Sequence, residues 1–83
     1  MKEIVVYSKH GCPLCDEAIE IIKDLQEEFP LQMKEIDIYE DDHLLEKYQL
    51  MIPVVEMDGE MIAYGKVDKN FIRKRLLKET VID

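Results

Sequence analysis

The stretch Ile4-Val5-Val6-Tyr7-Ser8-Lys9-His10-Gly11-Cys12-Pro13-Leu14-Cys15 decides how the chain is read. From Ile4 to Tyr7 the residues are continuously apolar and β-rich, the pattern of a strand buried on both faces. Ser8 to Gly11 break that run. Pro13 suits the first position of a helix, where its missing N–H costs nothing. A helix then fits residues 13 to about 28. Leu14, Ala18, Ile21, Ile22, Leu25 and Phe29 fall along one apolar stripe at 3–4 spacing. Asp16 and Glu17 sit in the first turn, where the helix dipole favours carboxylates, and Pro30 ends the element.

This strand–break–helix context places Cys12 at or near the helix N-cap. Its sulfur would face unpaired backbone N–H groups and the positive end of the dipole, which favour thiolate over thiol. Lys9 and His10 act in the same direction, while Asp16 and Glu17 oppose it; the expectation is a lowered Cys12 pKa. Cys15 lies one turn on along the same face, where Cβ atoms stand about 5–6 Å apart. A disulfide needs about 3.5–4.5 Å, so a small adjustment closes it. The pair can therefore cycle between dithiol and disulfide, Cys12 attacking and Cys15 resolving. The competing reading is half of a zinc site. Zinc normally takes four ligands, and only His10 and His43 could complete a set, at a spacing that fits no familiar finger. Redox chemistry is the favoured reading and no metal is expected; His43, beside acids, reads as surface.

The chain has 83 residues, 47% of them hydrophobic, enough for one packed core; a single domain over 1–83 is expected. Its formal charge of -8 argues against binding nucleic acid or an anionic membrane. No apolar run approaches the ~20 residues of a membrane span. The opening residues lack the apolar stretch and cleavage site of a signal peptide, so a cytoplasmic protein is expected; a monomer is the separate expectation for its assembly. Two cysteines three positions apart cannot staple distant loops, which leaves them for chemistry.

Working outward, residues 31–39 read as a second strand with Ile36 and Ile38 on one face. Glu40-Asp41-Asp42 reads as a helix N-terminus, with Leu44, Tyr48 and Met51 on the apolar side. A third strand covers residues 52–57, Asp58-Gly59 signals a two-residue hairpin, and residues 61–64 form the return strand. Gly65 breaks it, Asp68 caps, and Phe71, Ile72, Leu76 and Leu77 supply the core stripe of a last helix. The order β-α-β-α-β-β-α predicts an α/β fold with a mixed four-strand sheet ordered 2-1-3-4 and helices on both faces.

With these elements placed, the sequence resembles the glutaredoxin-like branch of the thioredoxin superfamily. The resemblance rests on residues 5–15 with their lysine and C-P-x-C opening, on Met51-Ile52-Pro53-Val54, on Asp58-Gly59 and on Gly65-x-x-Asp68. It covers nearly the whole chain. It implies a thioredoxin fold and a thiol–disulfide oxidoreductase that reduces protein disulfides or glutathione mixed disulfides, with glutathione as reductant and no bound cofactor. Cys12 matches the nucleophile and Cys15 the resolving cysteine. Lys9 matches a lysine that pairs with a glutathione carboxylate, Pro53 a cis-proline, and Ile52 the residue whose backbone meets the bound thiol compound. Gly65 and Asp68 match the entry to the last helix, beside the substrate. Three positions depart from the family pattern: Leu14 replaces a common aromatic, Met51 a Thr or Ser, and Tyr64 the first of a glycine pair.

Two rivals to that reading follow from the same residues. One is a protein-disulfide reductase recharged by a thioredoxin-type reductase; the other is a non-catalytic binding module or metal carrier that keeps the fold. Met51, Met57 and Met61 read as core filler in preference to an adaptable surface. Residues 66–78 hold six of the eleven basic residues, Lys66, Lys69, Arg73, Lys74, Arg75 and Lys78, with one acid, so the segment carries +5 and the rest -13. A solvated helix face is the expected meaning, with Lys66 placed nearest a ligand.

Overall fold

A computed structural model describes residues 2–80 of the chain. The elements run β1 (Lys2–Ser8), α1 (Pro13–Leu25), β2 (Leu31–Asp37), a single 3-10 turn (Ile38–Glu40), α2 (Asp42–Tyr48), β3 (Val54–Met57), β4 (Glu60–Tyr64) and α3 (Lys69–Thr80). They build one four-stranded sheet in the order β2-β1-β3-β4. β1 and β2 are parallel, with Ser8 opposite Asp37, and β3 runs antiparallel to both β1 and β4. The β3–β4 register slips after Val55, which inserts a bulge and keeps Ile62 buried.

The alternation of side chains across β1 and β3 separates two apolar clusters. Ile4, Val6, Val55 and Met57 meet Ala18, Ile22 and Leu25 of α1 and Ile72 and Leu76 of α3. On the opposite face Val54 meets Ile38 and Tyr48, with Tyr7, Leu44, Met51 and Ile52 packed around them. Helices thus cover both faces, which is why the β1 run needs no polar alternation. Met57 and Met51 are packing residues, while Met61 is 44% exposed.

Several local expectations are corrected. The α1 stripe is rotated: Cys15 and Ile19 point inward, Leu14 is 40% exposed and Ile21 packs only at the margin. Ala18, Ile19, Ile22 and Leu25 pack in one cluster with Ile4 and Val6 of β1, and that packing places Cys15 on the buried side of the helix. The helix also ends at Leu25, because the next N–H groups bond three residues back (Glu27 to Asp24, Glu28 to Leu25) and tighten the chain. β2 stops at Asp37, whose carboxylate accepts the Tyr39 N–H at 2.9 Å and turns the chain; this drops Ile38 into the second cluster. β3 starts at Val54, two residues after the expected start. Among the described side chains of α3, Ile72 and Leu76 are buried, and Phe71 and Leu77 are about half exposed.

The Asp58-Gly59 turn has positive φ at both residues, 50° and 89°, the geometry that lets a two-residue loop follow the twist of its strands. Its tip is tied to β1. Asp58 Oδ1 accepts the Glu3 N–H at 3.1 Å and Lys2 Nζ lies 3.2 Å from Oδ2. The Glu3 N–H first, then Lys2, hold the Asp58 carboxyl below its usual range. Most of the basic 66–78 segment is also used internally. Lys66 pairs with Glu17, Lys69 with Asp24, Arg73 with Glu28 and Arg75 with Glu60, tying α3 to α1 and to β4. No helix among the described residues is long and apolar enough to cross a membrane.

Candidate functional site

Cys12 is the N-cap of α1, with extended backbone angles, and Pro13 occupies the first turn. Cys12 and Cys15 are bonded to each other, their Cα atoms 5.1 Å apart. The Cys15 N–H points at Cys12 Sγ across 3.1 Å. That N–H is one of the four donors a helix start leaves unpaired, so the sulfur fills the place a serine or aspartate oxygen would take. Cys15 is 1% exposed and Cys12 8%, which makes Cys12 the sulfur nearer solvent. Among the described residues no three His, Cys, Asp or Glu side chains are grouped to hold a metal ion.

The Ile52–Pro53 peptide bond is cis, as the resemblance implied. The pairing of Tyr7 with Val54 places Pro53 at the C-terminal end of β1, the end where the Lys9–Gly11 loop leaves for Cys12. Gly65 reaches the same end: its N–H bonds both the Met51 carbonyl at 3.0 Å and the Pro53 carbonyl at 2.8 Å. Gly65 adopts φ of 71°, a left-handed conformation that a side chain would strain. Asp68 accepts the Asn70 N–H at 3.0 Å and so caps α3. The Ile52 N–H is bonded to the Tyr48 carbonyl at 3.1 Å. The donor half of the backbone contact expected at Ile52 is therefore occupied. The Gly65 N–H is occupied in the same way, so Gly65 supports the Pro53 loop and offers no N–H to an anion.

Lys9 is exposed and lines a cavity of about 380 Å³ beside the Cys12 loop, together with His10, Asp16, Glu35 and Asp37. Glu35 accepts the hydroxyl of buried Ser8 at 3.0 Å. Glu35 and Asp37 were not singled out in the sequence. The signal was available in the parallel pairing of β1 and β2, since the carboxyl ends of neighbouring parallel strands frame clefts. Lys66 bonds Glu17 at 3.0 and 3.3 Å across the α1 entry. A second missed feature lies behind the Pro53 loop. Glu56 accepts hydrogen bonds from both Tyr7, at 3.2 Å, and Tyr48, at 3.1 Å, whose rings stand 5.0 Å apart. Partial burial first, then the neighbouring carboxylate, push the Tyr7 phenol above its ordinary pKa.

A sheet ordered 2-1-3-4, helices on both faces and a bonded cysteine pair at a helix N-terminus define a thioredoxin-fold protein. Solved structures agree. A Nitrosomonas europaea protein superposes with a TM-score of 0.78 over 89% of each chain at 26% identity. A protein from X. campestris gives 0.75 over 90% of this chain and 96% of its own at 24% identity. A mutant thioredoxin from Halobacterium salinarum gives 0.72 over 99% of this chain and 77% of its own at 20% identity, a likeness of fold alone. The model of the Glutaredoxin-like domain (DUF836) matches residues 3–77, and the chain belongs to that family.

Proposed function

We propose that the protein is a thiol–disulfide oxidoreductase of glutaredoxin-like type. The observation that carries this reading is the Cys12–Cys15 bond at the start of α1, with the Cys15 N–H aimed at Cys12 Sγ. In the reduced protein the same N–H and the helix dipole stabilise a Cys12 thiolate. The thiolate attacks a substrate disulfide, forming a mixed disulfide and releasing one thiolate. Cys15, deprotonated, then attacks Cys12 Sγ; the Cys12–Cys15 bond forms and the second thiol leaves. Two electrons pass from the dithiol to the substrate, whose two sulfurs take up the two protons. A thiol reductant restores the dithiol, and neither metal nor organic cofactor takes part. Substrates are protein disulfides or glutathione mixed disulfides. The Pro53 loop and the Ile52 carbonyl align the substrate backbone like an added strand. Lys9, on the loop before Cys12, and Gly65 and Asp68, on the segment leading into α3, complete the proposed substrate-binding set; Lys9 and Asp68 line two different cavities. The protein acts as a monomer in the cytoplasm.

The test is reduction of a disulfide-bonded protein with dithiothreitol as recharging agent. Cys12→Ser is expected to abolish turnover. Cys15→Ser is expected to stop the dithiol route and accumulate a mixed disulfide on Cys12, visible by mass spectrometry. Alkylation of the reduced wild-type protein at neutral pH is expected to label Cys12 before Cys15. Turnover by Cys12→Ser, or preferential labelling of Cys15, would reverse the assignment.

A further inference from the structure

We propose that Glu56 is a positioning residue for this site: through the hydroxyls of Tyr48 and Tyr7 it holds the Pro53 loop where that loop aligns a peptide substrate. The inference rests on the oxidoreductase reading and adds to it a residue outside the Cys12–Cys15 turn. Residues 51–53 are strung between two backbone anchors. The Tyr48 carbonyl accepts the N–H groups of Met51 at 2.8 Å and Ile52 at 3.1 Å. On the other side the Met51 and Pro53 carbonyls accept the Gly65 N–H. The place of the first anchor depends on how Tyr48, the last residue of α2, is held. A helix of seven residues does not hold its own shape in water, so its end is fixed by tertiary contacts. Tyr48 is buried, and its hydroxyl donates to Glu56 Oε2 at 3.1 Å. Glu56 Oε1 takes the Tyr7 hydroxyl at 3.2 Å. Glu56 stands on β3, which is paired on both sides, and Tyr7 pairs with Val54, directly after Pro53. One carboxylate thus ties the end of α2 to the strand that leads to the Cys12 loop and to the strand that leaves Pro53.

Packing alone would be met by an apolar side chain beside the two rings, which stand 5.0 Å apart. A carboxylate there costs desolvation, but each of its oxygens accepts one phenol and so sets direction as well as distance. Partial burial, then this carboxylate, raise the Tyr7 pKa, as expected of a phenol that donates to an anion. Without its hydroxyl bond the Tyr48 ring keeps its packing but loses its direction, and the carbonyl that holds Met51 and Ile52 loses its fixed place. The exchange itself is the one already given, with two electrons passing from the dithiol to the substrate disulfide and dithiothreitol restoring the dithiol. Glu56 acts only on how a peptide backbone is presented to it.

The experiment compares two substrates of the full-length protein: a cyclic disulfide peptide, which has a backbone to align, and hydroxyethyl disulfide, which has none. Tyr48→Phe and Glu56→Leu are each expected to raise KM for the peptide about tenfold with kcat within about twofold of wild type, since a small misplacement of a positioning group weakens binding without touching the reacting sulfurs. Reduction of hydroxyethyl disulfide and the rate of Cys12 alkylation are expected to stay unchanged, with the fold checked by circular dichroism. Glu56→Gln, which can accept from one hydroxyl and donate to the other, is expected to keep the peptide KM within about twofold of wild type. A parallel loss on both substrates, or an unchanged peptide KM in folded Tyr48→Phe and Glu56→Leu, overturns the positioning role and leaves the oxidoreductase reading standing. A Glu56→Gln variant as impaired as Glu56→Leu overturns the hydrogen-bonded clamp. Failure of the wild-type protein to reduce either disulfide overturns the oxidoreductase reading as well.

Discussion

Replacing Ile72 by Ala and, separately, Phe71 by Ala tests which face of α3 builds the core. Both side chains lie in the apolar stripe read from the sequence, but Ile72 is 0% exposed and Phe71 48%. Ile72 packs in the cluster formed by α1, β1 and β3, so its truncation loses the transfer energy and leaves a cavity. That combination costs about 2–5 kcal/mol. Phe71 already exposes half its surface to water, and half of the roughly 1.5–3 kcal/mol for a fully buried large side chain is about 1 kcal/mol. In a domain of this size each kcal/mol moves Tm by about 4–8 °C. Ile72→Ala is therefore expected to lower Tm by roughly 12–24 °C at a central loss of about 3 kcal/mol, and Phe71→Ala by roughly 4–8 °C. Thermal melts followed by circular dichroism, with urea titrations for the free energies, separate the two. If Phe71→Ala costs as much as Ile72→Ala, the packing of α3 described above is wrong.

Two further outcomes concern titration and hydrogen bonding. The Tyr7 pKa is raised, so the folded state prefers the neutral phenol; its contribution to stability is complete below the unfolded value near 10.0 and is lost as pH rises through the folded value. Glu56→Gln is expected to bring the Tyr7 titration back toward the unfolded value, read by tyrosine absorbance at alkaline pH, and an unchanged titration would separate Tyr7 from Glu56. The Glu28 carboxyl is lowered, chiefly by its hydrogen bond from Arg73. Its contribution is present above the unfolded value near 4.5 and is lost as pH falls through the folded one. Arg73→Met is expected to flatten this part of the acid-side loss of stability, measured by urea unfolding at several acidic pH values. Because the pair is exposed, the effect is small and salt-sensitive.

Residues 4–15 determined by themselves the strand, the turn, the helix start and the position of the cysteine pair. They do so because an apolar β run, a proline at the first helical position and residues three apart on one helix are local facts. Asp58-Gly59 likewise fixed its hairpin, since the two positive φ values are a property of those two residues. The element order then limited the sheet to few arrangements, and the 2-1-3-4 order followed. Tertiary structure decided what depends on neighbours distant in sequence. The phase of α1 was set by the packing of Ala18, Ile22 and Leu25 against β1 and β3, the burial of Ile72 and not Phe71 by where α3 meets α1 and the sheet, and the Tyr7–Glu56–Tyr48 clamp by the pairing of β1 with β3 and the packing of α2. Whether an N–H near the site is free for a ligand also belongs to the tertiary structure. Ile52 and Gly65 match a binding pattern by residue type, yet their donors are bonded to Tyr48, Met51 and Pro53. Residue identity names a donor, and only the surrounding chain determines what that donor already holds.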